Sequence, residues 1–356
     1  MPFAQPRSEM PQSATGMRLR FSPFSEAGER WLSFASGLPG IELYHRRRWV
    51  ELLRETHATD TQVATLEYDS EIAAGCLLAR SPGLFGRRLI SLPDTESCPP
   101  LAVDDRALEK FLALLSEHQL ARQGVEIHGV QAPPPWQTVN LFADWKIDMR
   151  RPLEALHSAL DRDVRRNMRH ALARGIKVSQ DSSLNYLRRF YLLHLATRSR
   201  LGMPPRPFSY LKAMHRIFAP SGSLSIWMAT RDDRDVAGLL VLQDGEALYA
   251  KVNARSADCP NGANHLIFVD VMDHFAGRVH TLHLGRVDTR NRGLSEFKRR
   301  LGAVASPLPY AYLPRAPRNI SSEVPVGATK LLSQVVRRLP LWTTRVLGAV
   351  VYGFLI

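Results

Sequence analysis

Three turns, Asp69-Ser70, Asp232-Asp233 and Asp244-Gly245, each join two runs in which apolar and polar residues alternate. Alternation with period two marks a half-buried strand, and a polar dipeptide between two such runs closes an antiparallel hairpin. Strands that are neighbours in sequence are therefore neighbours in the sheet. That constraint excludes a fully parallel, doubly wound architecture, and the dinucleotide fingerprint G-x-G-x-x-G is missing from the chain.

What surrounds these turns repeats. The strand "MRLRFS" leads to a helix with Ser25 at its start and Gly37 at its stop, then to a second helix from about Arg46 to His57. The hairpin "TQVATLEYDSEIAAGCLLARS" and the strand "RRLISLP" follow. Leu108, Phe111, Leu112, Leu115 and Leu120 recur with helical period, and "VEIHGV" and "TVNLFADWKIDM" supply two more strands. From Pro152 the order begins again. One helix carries Leu156, Leu160, Val164, Met168 and Leu172 on a single face and stops at Gly175. Two helices follow, then the meander "LSIWMAT", "DVAGLLVLQ", "EALYAKVN". A helix from about Asn264 to Ala276, the strand "VHTLHLG" and a last strand "PLPYAYL" complete it. The economical reading is a tandem duplication of one α/β (α+β) unit with mixed, mainly antiparallel sheets, over residues 17–150 and 151–313. Residues 1–16 read as a disordered tail, 314–327 as a linker rich in proline and serine, and 328–356 as amphipathic helices.

At 356 residues the chain is long enough for two cores, and a formal charge of +13 favours anionic partners. No helix-turn-helix, zinc finger or RNA-recognition signature accompanies that charge, which argues against DNA as a partner. Cys76, Cys98 and Cys259 are scattered, so neither a disulfide framework nor a metal site is expected. The first residues lack the apolar stretch of a signal peptide, and no run reaches the length of a membrane span. The expected location is cytoplasmic.

Four segments in order carry a family resemblance: "LFGRRLISLP", "LDRDVRRNMRHALARGIKV", "DVAGLLVLQDGEALY" and "GRVDTRNRGLSEFKRRLGA" with the strand after it. Together they resemble the FemAB family of peptidyl and acyl transferases, built from two GNAT-fold domains, over about residues 20–315. The chain departs from that pattern in places. Val287 stands where a serine is usual, Leu301 where tryptophan is common, and "DTESCP" replaces an acidic Ser-Asp-Tyr-Gly-Gly segment, leaving Glu96 or Asp94 for the acidic position. The resemblance implies transfer of an acyl or aminoacyl group to an envelope or exopolysaccharide precursor. The donor is then an acyl-CoA or an aminoacyl-tRNA, and the acceptor a glycan or lipid-linked molecule. A protein of the same fold that binds a glycan or lipid carrier without turnover is the alternative.

Acyl transfer needs a cradle for the donor, stabilisation of an oxyanion, and a base for the attacking group. Gly262, Asn264 and His265 open a helix where donor phosphates would meet backbone N–H groups; the plain reading is a loop and a helix start. Lys298, Asp288 and Glu96 are the candidate catalytic residues, with Lys298 otherwise a solvated lysine among basic neighbours. Arg286, Tyr310, Tyr312 and Arg166 are the candidate substrate contacts. Arg162, Arg165, Arg169 and Arg174 otherwise form a solvated face. His128, His280 and His283 alternate along strands and read as structural. The segment 328–356 has two readings, an anchor on an anionic membrane surface or helices packed on the protein's own core.

Overall fold

The computed structural model describes residues 16–57, 59–81, 88–317, 336–337, 343–346 and 348. In chain order the elements are β1 (Arg18–Pro23), α1 (Phe24–Ser36), α2 (Arg47–His57), β2 (Thr61–Tyr68), β3 (Glu71–Ser81), β4 (Arg88–Ile90), β5 (Leu101–Ala102), α3 (Asp105–Glu117) and β6 (Val125–His128). There follow β7 (Gln137–Asp148), α4 (Leu153–Ala159), α5 (Arg162–Ala173), β8 (Lys177–Asp181), α6 (Leu184–Leu201), α7 (Phe208–Phe218), β9 (Leu224–Arg231), β10 (Arg234–Asp244) and β11 (Ala247–Arg255). The chain closes with α8 (Ala263–Phe275), β12 (Thr281–Asp288), α9 (Arg292–Arg300) and β13 (Val304–Leu313).

The chain divides into two compact units, one running to Asn140 and resuming at Leu308, the other holding Leu141–Pro307. In the first, the strand order is β1-β2-β3-β4-β6-β13, with β5 beside β3. In the second it is β7-β12-β11-β10-β9-β8. The printed pairings are antiparallel except β4 with β6 and β11 with β12. The hairpin turns have the expected chemistry: Asp69 and Ser70 (φ 46° and 70°) and Asp232 and Asp233 (φ 50° and 59°) are left-handed pairs that match the twist of the strands.

Each unit has its own core. In the first, α3 lays Phe111, Leu112 and Leu115 on Leu66, Leu78, Ile127 and Leu313. In the second, α8 brings Leu266, Ile267, Val269 and Met272 onto Val241, Leu248, Leu282 and Leu284.

The structure differs from the sequence expectations in several places. The helix read across Leu156–Leu172 is two helices, because the Asp161 carboxylate accepts the Asp163 N–H at 2.8 Å and caps α5 afresh. Leu172 is correspondingly off the buried face, 58% exposed. The basic stretch after β12, to which the sequence assigns no element, folds as α9, capped by Asn291 through the Leu294 N–H. Finally, the segment "TVNLFADWKIDM" contributes its residues from Leu141 to the second unit, while the last strand contributes its residues from Leu308 to the first.

Of the segment 328–356, Val336 and Thr344 are buried and Gly348 lies against the Pro205 carbonyl. Apart from these and Arg337, Thr343, Arg345 and Val346, the segment lies outside the described residues, as does the tail 1–15.

Candidate active site

The second unit's sheet opens where β11 and β12 meet. These parallel strands pair at only three positions, Ala247↔Thr281, Leu248↔Leu282 and Tyr249↔His283. Beyond them β11 continues on β10 to Arg255, and β12 continues on β7 to Asp288. Each strand carries a bulge at the parting. The register of β11 skips Lys251 and that of β12 skips Leu284. Bulges re-aim side chains and end pairing, and they gather beside active sites.

Helix α8 starts beside this opening. Its N-cap is Gly262, at φ 93°, with no side-chain cap and no acidic residue in the first turn. The N–H groups of Asn264 and His265 have no partner among the described residues. Such a helix start favours an anion, so Asn264 and His265 suit a donor diphosphate. Asn253 on β11 donates to both Gly238 O (3.2 Å) and Asn264 Oδ1 (2.7 Å), tying the helix start to the sheet. Gly262 has a different cause from the one expected of it. A Cβ there would lie 2.1 Å from the Asn167 carbonyl oxygen of α5, so the close backbone approach is to a neighbouring helix. His265 packs its ring 5.1 Å from Phe297, and burial, aided by the Arg300 charge, holds its pKa below the usual value.

The basic stretch is largely neutralised by its own neighbours. Lys298 is buried, 6% exposed, and its ammonium donates to Gly285 O at 2.7 Å, which overturns the solvated reading. Asp288 accepts from the Arg290 backbone N–H (2.9 Å) and from its guanidinium (2.8 Å). Arg290 thereby pulls the Asp288 carboxyl below its usual range, so it is ionised and weakly basic at neutral pH. Arg299 and Arg300 both hold Glu296, whose carboxyl falls to about 2. Arg286 is half-buried with its guanidinium 5.0 Å above the Phe142 ring. On α5, Arg166 is exposed and pairs with Asp163 at 2.9 Å.

Glu96, Tyr310 and Tyr312 belong to the first unit. The Tyr44 hydroxyl donates to the Glu96 carboxylate, and the Tyr310 hydroxyl donates to the Glu96 carbonyl oxygen at 2.9 Å. The Tyr310 ring stacks on His128 at 3.9 Å, and Tyr312 is buried opposite Glu126 in the register of β13 on β6. Burial raises the Cys76, Cys98 and Cys259 thiols, which speaks against a thiolate nucleophile.

Sequence reading missed Lys251, Asn253, Asp144 and Lys146. Lys251 is buried at the β11 bulge, and a lone lysine in the apolar run "LYAKV" was the available signal. Asp144 stands opposite Arg286 across β7 and β12 and pairs with Lys146 at 3.0 Å. His283 stacks on Tyr249 at 4.4 Å at the last position before the strands part.

Residues 158–299 match the family model described as an acetyltransferase (GNAT) domain. A comparison with curated protein sequences finds no match. Among solved structures the chain is similar to FemX, with TM-score 0.61 and 14% identity over 87% of this chain and 98% of that one. It is also similar to L-PGS from Bacillus licheniformis, with TM-score 0.51 and 14% identity over 87% and 97% of the two chains. A third is the C-terminal domain of a protein assigned as a lysylphosphatidylglycerol synthetase from Agrobacterium fabrum, with TM-score 0.54 and 14% identity over 81% and 92%. The parted strands and the open helix start fall within the segment that matches the acetyltransferase (GNAT) domain model, and the chain has a mixed α/β fold of the kind found in FemX.

Proposed function

We propose that this protein transfers an acyl group from an acyl-CoA thioester to an amine or hydroxyl of a cell-envelope or exopolysaccharide precursor. The observation that carries the reading is the parting of β11 from β12 beside the uncapped start of α8. In this reading the donor's phosphates lie on the N–H groups of Asn264 and His265, and its thioester points between the strands. The acceptor's lone pair attacks the carbonyl carbon, the C–S bond breaks, and the thiolate leaves with a proton. Lys298, held against Gly285, offsets negative charge on the carbonyl oxygen. Arg290 leaves Asp288 a poor proton acceptor, so the attacking group's proton passes to the leaving thiolate. Asp288 then orients Arg290, while Arg286 and Arg166 contact the acceptor. The likeness to FemX and to the synthetases supports an envelope acceptor and keeps aminoacyl-tRNA as the second donor.

One observation favours binding without turnover. Both acidic candidates are already engaged, Asp288 by Arg290 and Glu96 by Tyr44. The described residues include no helix long and apolar enough to cross a membrane. Buried Val336 and Thr344 support a tail docked on the second unit over one laid on lipid.

The test is acetyl-CoA and longer acyl-CoA thioesters added to the full chain, with melting temperature and thiol release as readouts. Stabilisation that grows with concentration, and thiol release on adding envelope extracts, is the expected result. Stabilisation without release would favour the binding reading. Stabilisation by aminoacyl-tRNA alone would move the donor to that class.

A further inference from the structure

Helices α6 and α7 enclose two buried donors that this structure leaves without acceptors. Tyr191 and His194 lie one turn apart on α6, 4% and 3% exposed, with ring centroids 6.0 Å apart. His194 Nε2 accepts the Arg206 backbone N–H at 3.1 Å. Burial, reinforced by Arg198 and Arg206, lowers the His194 pKa to about 3, so the ring is neutral. A neutral ring whose Nε2 accepts must carry its proton on Nδ1. That N–H has no acceptor among the described residues, and neither has the proton of the Tyr191 hydroxyl.

Both groups adjoin the start of α7, an 11-residue helix whose N-cap, Pro207, supplies no side-chain cap. The Tyr191 ring is 5.0 Å from that of Phe208, the first helical residue, and the Phe208 N–H reaches toward the Tyr191 hydroxyl. The N–H groups of Phe208 and Ser209 have no other partner among the described residues. The charges felt here are all positive among the described residues, Arg198 and Arg206 at His194 and Arg345 at Tyr191. The Arg206 guanidinium lies 5.3 Å over the Tyr210 ring, and Arg198 Nε donates to Pro204 O at 3.2 Å. A buried unsatisfied donor is costly, and several converging on a helix start within a positive field call for an oxyanion.

The first unit is instructive here. Its helix pair also buries a histidine, His45, but both ring nitrogens are engaged, Nδ1 by the Glu42 N–H (3.0 Å) and Nε2 by Pro99 O (2.9 Å). The packing of two helices on a sheet therefore does not by itself orphan a buried histidine.

We propose that the start of α7, with Tyr191 Oη and His194 Nδ1, is a binding subsite for the carboxylate or phosphate group of an anionic ligand. The subsite is distinct from the opening between β11 and β12 and does not depend on acyl transfer taking place there.

The experiment titrates the full-length protein with inorganic phosphate and, separately, with acetate, at fixed ionic strength held by chloride. The readout is the nitrogen chemical shift of His194 Nδ1 at pH 7. A saturable shift with phosphate, with acetate, or with both is expected, and the anion that saturates it names the ligand's group. Tyr191→Phe, nearly isosteric, should weaken binding about tenfold. His194→Gln keeps an acceptor for Arg206 at the Nε2 position but removes the Nδ1 donor, and should abolish binding. His194→Asn keeps a donor near Nδ1 and should retain it. No saturable response to either anion, or undiminished binding in Tyr191→Phe and His194→Gln, would overturn the proposal. If the His194 variants do not fold, the wild-type titration and Tyr191→Phe decide it.

Discussion

The two units begin the long helix that follows their meander in opposite ways. In the first, Asp104 caps α3, its carboxylate accepting the Ala107 N–H at 2.7 Å, and Asp105 adds a second negative charge to the first turn. In the second, α8 starts at Gly262 with neither a side-chain cap nor an acidic residue. One helix start has its anion built into the sequence; the other is left to an anion from outside. The strands beside them differ in the same sense. Strand β6 buries Glu126, paired with His128 at 2.8 Å, whereas β12 is braced by the buried Lys298. The second unit thus leaves open a helix start whose counterpart in the first unit is filled with acidic side chains.

Gly262→Val should produce the largest effect on this contrast. It puts a β-branched residue at φ 93° and drives a Cβ into the Asn167 carbonyl, at a cost of about 3 kcal/mol or more by urea denaturation. Gly40→Ala in the first unit, at φ 82° with nothing within 4 Å, should cost only about 1 kcal/mol. Equal costs would mean that α5 does not press on the start of α8. Next comes Lys298→Met, which strips the Gly285 carbonyl of its buried ammonium and should lose about 2 kcal/mol. A melting temperature unchanged by that substitution would return Lys298 to the solvent-facing reading.

A pH series sharpens the difference between His45 and His194. The folded-state pKa of His194 is depressed to about 3, so between that value and about 6.5 the unfolded chain binds the extra proton. Stability is therefore full above about pH 6.5 and falls as pH drops, by up to about 1.4 kcal/mol per pH unit from this group. Subtracting the His194→Gln profile should isolate that slope; identical slopes would show that His194 is protonated in the fold. The smallest stability changes belong to the helix starts themselves. Asp104→Ala should cost about 1 kcal/mol and leave acyl-CoA stabilisation intact. Asn264→Asp keeps the acceptor for Asn253 and should change stability by less than about 0.5 kcal/mol, yet remove acyl-CoA stabilisation by like-charge repulsion.

Much of the fold was legible because its signals are local. Asp69-Ser70 and Asp232-Asp233 announce their turns, and the period of Phe111, Leu112 and Leu115 announces α3. Strand exchange between the units was not legible, since nothing in "TVNLFADWKIDM" says which sheet its alternating face will join. The site was legible in part. Lys298 and Asn264 stood out through the resemblance, but the partners that set their chemistry are far away in sequence. Asn167 against Gly262, and Asn253 against Asn264, exist only once helices and strands have packed. Tyr191 and His194 do not stand out in the sequence of α6, because an unmet hydrogen bond leaves no mark on a sequence.

The assignment of β13 to the first unit also matters while the chain is being made. Strand β6 gains its antiparallel neighbour, Tyr310↔His128 through Leu313↔Val125, only about 180 residues after it leaves the ribosome. At ordinary elongation rates that is on the order of ten seconds or more during which β6 is an unfinished sheet edge. A nascent chain halted anywhere before Leu308 holds an incomplete first unit, whatever the state of the second. Expressing residues 17–150 alone should therefore yield an aggregating fragment, and a chain that ends at Pro307 should be rescued by a separately supplied peptide spanning β13.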